Sequence, residues 1–278
     1  MTRKEIVIAL AAYGEATSPD TSIAHTAILI SALDRPTLPL ARYHRHLEML
    51  SKKVGDFARI NNGPVPVSLM HNALQQVMVR HHGYGGGDTE GTDEDCFDLT
   101  RVIDARNGST EALTILYAEI ARCIGWSAEI ILASPRLLLR LEADGERLII
   151  DPIDDCRILE PADIRAIIKA FGGNEVELTP NSLSPLDDKE ALLRLMAGRK
   201  SVLLSTKRLE EAASLLDIAL RIAPEEPSLW RECGLLNAQL DNVQLAVDAL
   251  EEYLRLGTGE ASRYNTTILL QELRGRLT

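Results

Sequence analysis

Aromatic residues are scarce in this 278-residue chain, 4% of positions shared among 2 Trp, 6 Tyr and 3 Phe. That scarcity argues against a single-strand nucleic-acid platform, which stacks bases on exposed rings. Positive charge is also in short supply. The 30 Lys and Arg face 41 Asp and Glu, a formal net charge of −11. This is the wrong sign for a phosphate backbone or an anionic bilayer, so no nucleic-acid partner is expected. Cysteine is limited to Cys96, Cys123, Cys156 and Cys233, scattered with no C-x-x-C pair. Such usage predicts buried thiols in a reducing compartment and not a disulfide framework.

Long apolar runs are missing too; none approaches the roughly 20 residues that span a bilayer. The opening MTRKEIVIALAAYGEATSPD reads as an amphipathic helix. Glu5 interrupts its apolar run, and Tyr13-Gly14-Glu15 stands where a signal peptide needs small residues. The expectation is a cytoplasmic protein without membrane insertion. Cofactor motifs are absent as well. Gly85-Gly86-Gly87 lacks the Lys-Ser/Thr of a phosphate loop, and the acidic run DTEGTDED lacks the alternating carboxylates and glycine of a calcium loop. His44 and His46, two apart on a helix, face different ways and do not share a metal. No metal and no cofactor are expected.

What is present is ordinary globular material, 45% hydrophobic and 26% charged, enough for one large domain or two. Residues up to about 80 carry apolar positions at three- and four-residue steps, punctuated by Pro36, Pro39, Pro64 and Pro66, and predict helices. The stretch GYGGGDTEGTDEDC, with Asp88, Glu90, Asp93, Glu94 and Asp95, reads as a loop. TEALTILYAEIARCIGW then predicts a helix capped by Ser109 or Thr110, with Glu111 in its first turn and Gly125 as its stop. SAEIILAS, RLLLRLEAD and ERLIIDP predict three strands, the last two joined at Asp144-Gly145, and EPADIRAIIKAFGG returns to helix. A helix on an antiparallel sheet is an α+β arrangement.

Residues 173–190 read as a linker. Beyond it, LEEAASLLDIALRIAPEEP and VQLAVDALEEYLRLGTGE align at an offset of about 34, the tetratricopeptide period, which superposes Ala212 on Ala246 and Leu216 on Leu250. Trp230 and Gly234 stand where that repeat expects Trp and Gly. Two helical hairpins and a closing helix are predicted over 191–278, with Trp230, Ala246 and Leu250 holding them together.

The order helix, strand, strand, Asp-Pro over residues 108–152 is what a cysteine hydrolase of transglutaminase type uses. It needs a thiol at a helix N-terminus, a histidine on the facing strand and a carboxylate on the next. RVIDARNGSTEALTILYAEIARCIG, SPRLLLRL, LIIDPIDDCRIL and the tail WRECGLLNAQLDNVQLAVDALEEYLRLGTGE resemble the SirB (YchA-type) family. The resemblance implies a helical region and transglutaminase-like core over 1–172, followed by tetratricopeptide repeats. It also implies where a triad would fall. The cysteine position falls at or near Thr110, the histidine position holds Arg136, and Asp151 alone survives. A guanidinium has no neutral form near pH 7 to accept a proton, and a threonine without a base is a poor nucleophile. Such a site is expected to be degenerate, with Arg136 paired to Asp151 or Glu111.

The reading that follows is a non-catalytic interaction or scaffold protein. Arg199, Lys200, Arg231 and Asn237 would line a repeat groove, and the positive residues favour an acidic protein segment. Two alternatives stand beside it. One is a cysteine-dependent hydrolase rearranged around Cys96 or Cys156. The other is a small-anion binder that uses Arg136 in the former cleft.

Overall fold

The computed structural model describes residues 1–16, 22–35, 37–59, 64–86, 93–173, 183–257 and 260–277. Pro36, Gly87, Asp88, Glu90 and residues 174–182 of the expected linker lie outside them. The chain forms two compact units. Asp20–Arg199 make the first, while Thr2–Pro19 join Lys200–Thr278 in the second. The expected division at 173–190 therefore falls elsewhere: the first helix, α1 (Arg3–Glu15), belongs with the repeats, and residues 191–199 belong with the core.

In the first unit α2 (Ile23–Ala32), α3 (Leu40–Ala58) and α4 (Val67–Leu74) follow the expected periodicity, and α4 runs on as a π-helical segment, Gln75–His81. The acidic stretch is more ordered at its end than a loop. Glu94–Phe97 form a 3₁₀ turn, and Asp98 caps the short α5 (Leu99–Ala105) by accepting from the amides of Thr100 and Arg101. At seven residues α5 is too short for its pattern to stand out.

The central helix α6 (Thr110–Cys123) is capped by Ser109, whose hydroxyl accepts from the Ala112 amide at 3.2 Å. It ends where Gly125 takes φ 82°, with the Trp126 amide returned to the Ala121 carbonyl. Leu113, Leu116, Tyr117 and Ile120 are all fully buried. The antiparallel sheet runs β1 (Ser127–Ala133), β2 (Arg136–Ala143), β3 (Glu146–Asp151) and a short β4 (Arg157–Ile158), in that order. Asp144 and Gly145 both have positive φ, as a two-residue hairpin turn requires.

Leu137, Leu138 and Leu139 are buried on successive positions of β2, so this strand is covered on both faces. One cover is α6. The other is α7 (Pro161–Gly172), whose Ile164 and Ile168 pack with Ile131, Ala133 and Leu138. The end of the expected linker extends the sheet: Pro185 bridges Ile131, and the Leu186 amide donates to the Ile130 carbonyl at 2.8 Å.

The unit boundary falls within α8 (Asp188–Ser205). α9 (Leu209–Ile222) packs on α10 (Pro227–Gln239), α10 forms a hairpin with α11 (Val243–Arg255), and α12 (Glu260–Leu277) closes over Ala246, Val247, Leu250, Leu270 and Leu273. Gly234 lets α10 approach α11, since a Cβ there would stand 2.5 Å from Leu250 Cδ2. α1 covers α9 with the same device, because a Cβ on Gly14 would lie 2.3 Å from the Arg221 carbonyl oxygen. A repeat buries its apolar face only on a neighbour, and α1 supplies one.

Candidate functional site

Thr110 begins α6, Arg136 begins β2 and Asp151 ends β3; Arg136 bonds Asp151, and Thr110 bonds the backbone of Leu137, the residue after Arg136. Arg136 Nη1 donates to Asp151 Oδ2 at 2.7 Å. Of the two carboxylates expected to receive it, Asp151 does. The guanidinium is 28% exposed and the carboxylate 0%. The second carboxylate oxygen accepts from the Ile153 amide at 3.2 Å. Burial lifts the Asp151 carboxyl above its ordinary range, and the opposing pull of Arg136 is the smaller effect.

The Thr110 hydroxyl donates to the Leu137 carbonyl at 2.9 Å, and Thr114 donates to the same oxygen at 3.1 Å. These hydroxyls tie α6 to β2. The hydrogen on Thr110 is thus engaged by backbone, and its neighbour across the strand is an ion pair without a proton acceptor of imidazole type.

One histidine, His71, meets the backbone of Cys156. Its Nε2 donates to the Cys156 carbonyl at 2.8 Å, not to the thiol. Cys156 is fully buried, and desolvation with nearby Asp151 pushes its thiol far above the usual range. Cys96 is buried and donates to the Asp93 carbonyl at 2.8 Å. Cys123 is exposed as a residue, but its thiol donates to buried Glu119, and desolvation followed by Glu119 pushes it up to about 12. Burial raises Cys233 as well. A nucleophilic thiol needs the opposite shift.

The expected basic groove takes a different form. Arg199 is 14% exposed and pairs with Asp34 at 2.7 Å and Glu94 at 3.7 Å, all within the first unit. Lys200, 15% exposed, pairs with Glu232. Both cations thus already have carboxylate partners within the protein. Sequence spacing placed these cations on a helix but not the carboxylates that meet them. The second unit does hold a cavity of about 670 Å³, lined by residues of α1, α9, α10 and α11. Asn237 reaches it, buried and bonded to the Cys233 carbonyl and to Asn242, whereas Arg231 does not line it. Its charged lining is Glu15, Asp217, Asp248 and Arg221, the last paired with Asp217. Leu245, 57% exposed, and Trp230 supply apolar surface.

One cluster escaped the sequence reading. His44 and His46 do face apart, His44 beside His25 and His46 beside Tyr84, but His46 meets Arg106 and Tyr84 in a polar site of the first unit. Sequence separations of 38 and 60 residues hide that meeting. Among the described residues no cluster of His, Cys, Asp and Glu could hold a metal, and no helix is long and apolar enough to cross a membrane.

Residues 41–197 match the family model described as "Transglutaminase-like superfamily", and residues 200–271 match "Tetratricopeptide repeat". The chain is 27% identical over 259 residues to a "UPF0162 protein" of Xylella fastidiosa, covering 91% of this chain and 87% of the relative. It is 25% identical to "Protein SirB1" of Salmonella typhimurium over 65% of this chain and 68% of that one. With "UPF0162 protein YchA" of Escherichia coli the identity is 26%, covering 58% and 60%. The chain therefore belongs to the transglutaminase-like superfamily, in the SirB1/YchA-type family that carries a tetratricopeptide tail.

Proposed function

We propose that this protein is a non-catalytic interaction protein built on a degenerate transglutaminase-like core. The Arg136–Asp151 pair carries the reading: a guanidinium bonded at 2.7 Å to a buried carboxylate stands where a hydrolase of this type needs a histidine oriented by that carboxylate. Arginine cannot take a proton from a nucleophile. The tied Thr110 hydroxyl and the raised pKa of Cys156, Cys123 and Cys233 weigh against a rearranged cysteine hydrolase. An anion site at Arg136 is disfavoured because Asp151 already neutralises it.

The interaction surface we infer is the cavity of the second unit. Glu15 and Asp248 outnumber any unpaired cation in its lining, and Leu245 offers exposed apolar area. The complementary occupant is a protein segment with an apolar anchor flanked by Lys or Arg. This replaces the acidic segment expected from Arg199 and Lys200.

Three measurements test the reading on the full chain. Amidase and transglutaminase assays are expected at background, and iodoacetamide at pH 6 is expected to label no cysteine quickly. Rapid labelling of one cysteine, lost on mutation of His71, would restore the hydrolase. For the surface, anisotropy with labelled peptides should favour basic over acidic flanks, and Leu245→Asp or Asp248→Lys should weaken binding. Equal or tighter binding of acid-flanked peptides would sink the assignment.

A further inference from the structure

A cavity of about 330 Å³ in the first unit lies between α3 and the turn after α5, lined in part by Arg42, Tyr43, Arg45, His46, Asp104 and Arg106. Three guanidinium groups meet one carboxylate there, in a chain of net charge −11. The carboxylate is already occupied, since Asp104 accepts from Arg42 and from the Tyr43 hydroxyl at 2.9 Å.

Arg106 makes no ion pair among the described residues. Its guanidinium lies 4.7 Å from the centre of the Tyr84 ring and donates to the Tyr84 hydroxyl oxygen and, at 2.7 Å, to His46 Nε2. A guanidinium only donates, so Nε2 is the bare nitrogen and His46 is neutral, protonated on Nδ1. Arg106 holds this place from the left-handed region, φ 63°, where a non-glycine residue is uncommon. Arg45 is exposed and bonds the Ala41 carbonyl of its own helix. A packing role on Tyr84 accounts for Arg106, but it does not account for Arg45.

We propose that this cavity binds a small ligand through an oxyanion, phosphate or carboxylate, held by Arg45 and Arg106, while Arg42 offsets the charge of Asp104 beside it. The guanidinium fork matches both headgroups, and the volume sits at the lower end of small-ligand sites. His46, pushed down to about 4 by burial and then by Arg106, His82 and Arg42, reports a positive local potential that an anion relieves. Lys53, bonded to His82 beside His46, adds to it. The site shares no residue with the Arg136–Asp151 pair.

Isothermal titration of the full chain with inorganic phosphate and with succinate, each against chloride at matched ionic strength, tests the proposal. Saturable binding of at least one is expected, and the tighter of the two names the headgroup. Arg45→Gln should weaken that binding by about tenfold, the worth of a charge-assisted hydrogen bond, while leaving the ligand-free melting temperature unchanged. Arg42→Gln provides a second variant with the same expected direction. No heat above the chloride control, or undiminished binding in both variants, would overturn it.

Discussion

Removing the guanidinium of Arg136 strands a carboxylate with 0% exposure and no counter-charge. Arg136→Gln is therefore expected to destabilise the fold by about 3 kcal/mol at pH 7, the low end for breaking a buried pair, because Arg136 itself is partly wet. The loss should depend on pH with a definite sign. Asp151 has a folded pKa above its unfolded value near 3.8, so the folded state holds that proton more readily. Its contribution to stability therefore falls as pH rises through the interval between those two values. Arg136 limits that fall. Without it the interval widens upward, so urea denaturation should show a larger deficit at pH 7 than at pH 4, because the variant sheds the stranded charge more readily as pH falls. An equal deficit at both pH values would assign the effect to packing.

At the scale of elements, the repeats hang on close approach between helices. Gly234 faces Leu250, and a methyl group there would overlap Leu250 Cδ2 and Cγ at 2.5 and 2.6 Å. Gly234→Ala is expected to cost about 1–3 kcal/mol despite its better helix propensity, and Leu250→Val in the same chain should recover part of the loss. Thermal denaturation of the two single variants and the double variant measures the coupling. Trp230 plays a lesser part than its repeat position suggests: it is only half-buried, and its indole nitrogen donates to the Pro224 carbonyl at 2.7 Å. The strands and the hairpin turn were legible because short apolar runs are bounded by Ser134-Pro135, Asp144-Gly145 and Asp151-Pro152. α5 and β4 were not, since seven and two residues carry too little pattern.

At the scale of the whole molecule, the repeat tail includes the chain's first helix. Ile6, Leu10 and Tyr13 of α1 are buried, and α1 packs on α9. Truncation of residues 1–16 should strip that cover, so amide exchange in α9 is expected to speed markedly while exchange in α6 and β2 stays slow. Unchanged protection in α9 would mean that α1 is dispensable to the second unit. Periodicity made α1 legible as a helix, but nothing local says which helix it will cover some 200 residues later.

The sequence by itself determined the α+β core, the tetratricopeptide phase and the residue types at the positions compared with a triad, because each rests on residue identity at short spacing: Thr110 at a helix start, Arg136 and Asp151 on adjacent strands, Ala212 and Ala246 one repeat apart. Tertiary structure alone decided which charges remain available. Arg199 and Lys200 read as free cations until Asp34 and Glu232 arrive from 165 and 32 residues away. Arg106, His46 and Tyr84 look unrelated until α3 and the turn after α5 bring them together. Burial and pairing are sums over distant neighbours, so residue type fixes a charge while the packed fold settles whether that charge is answered.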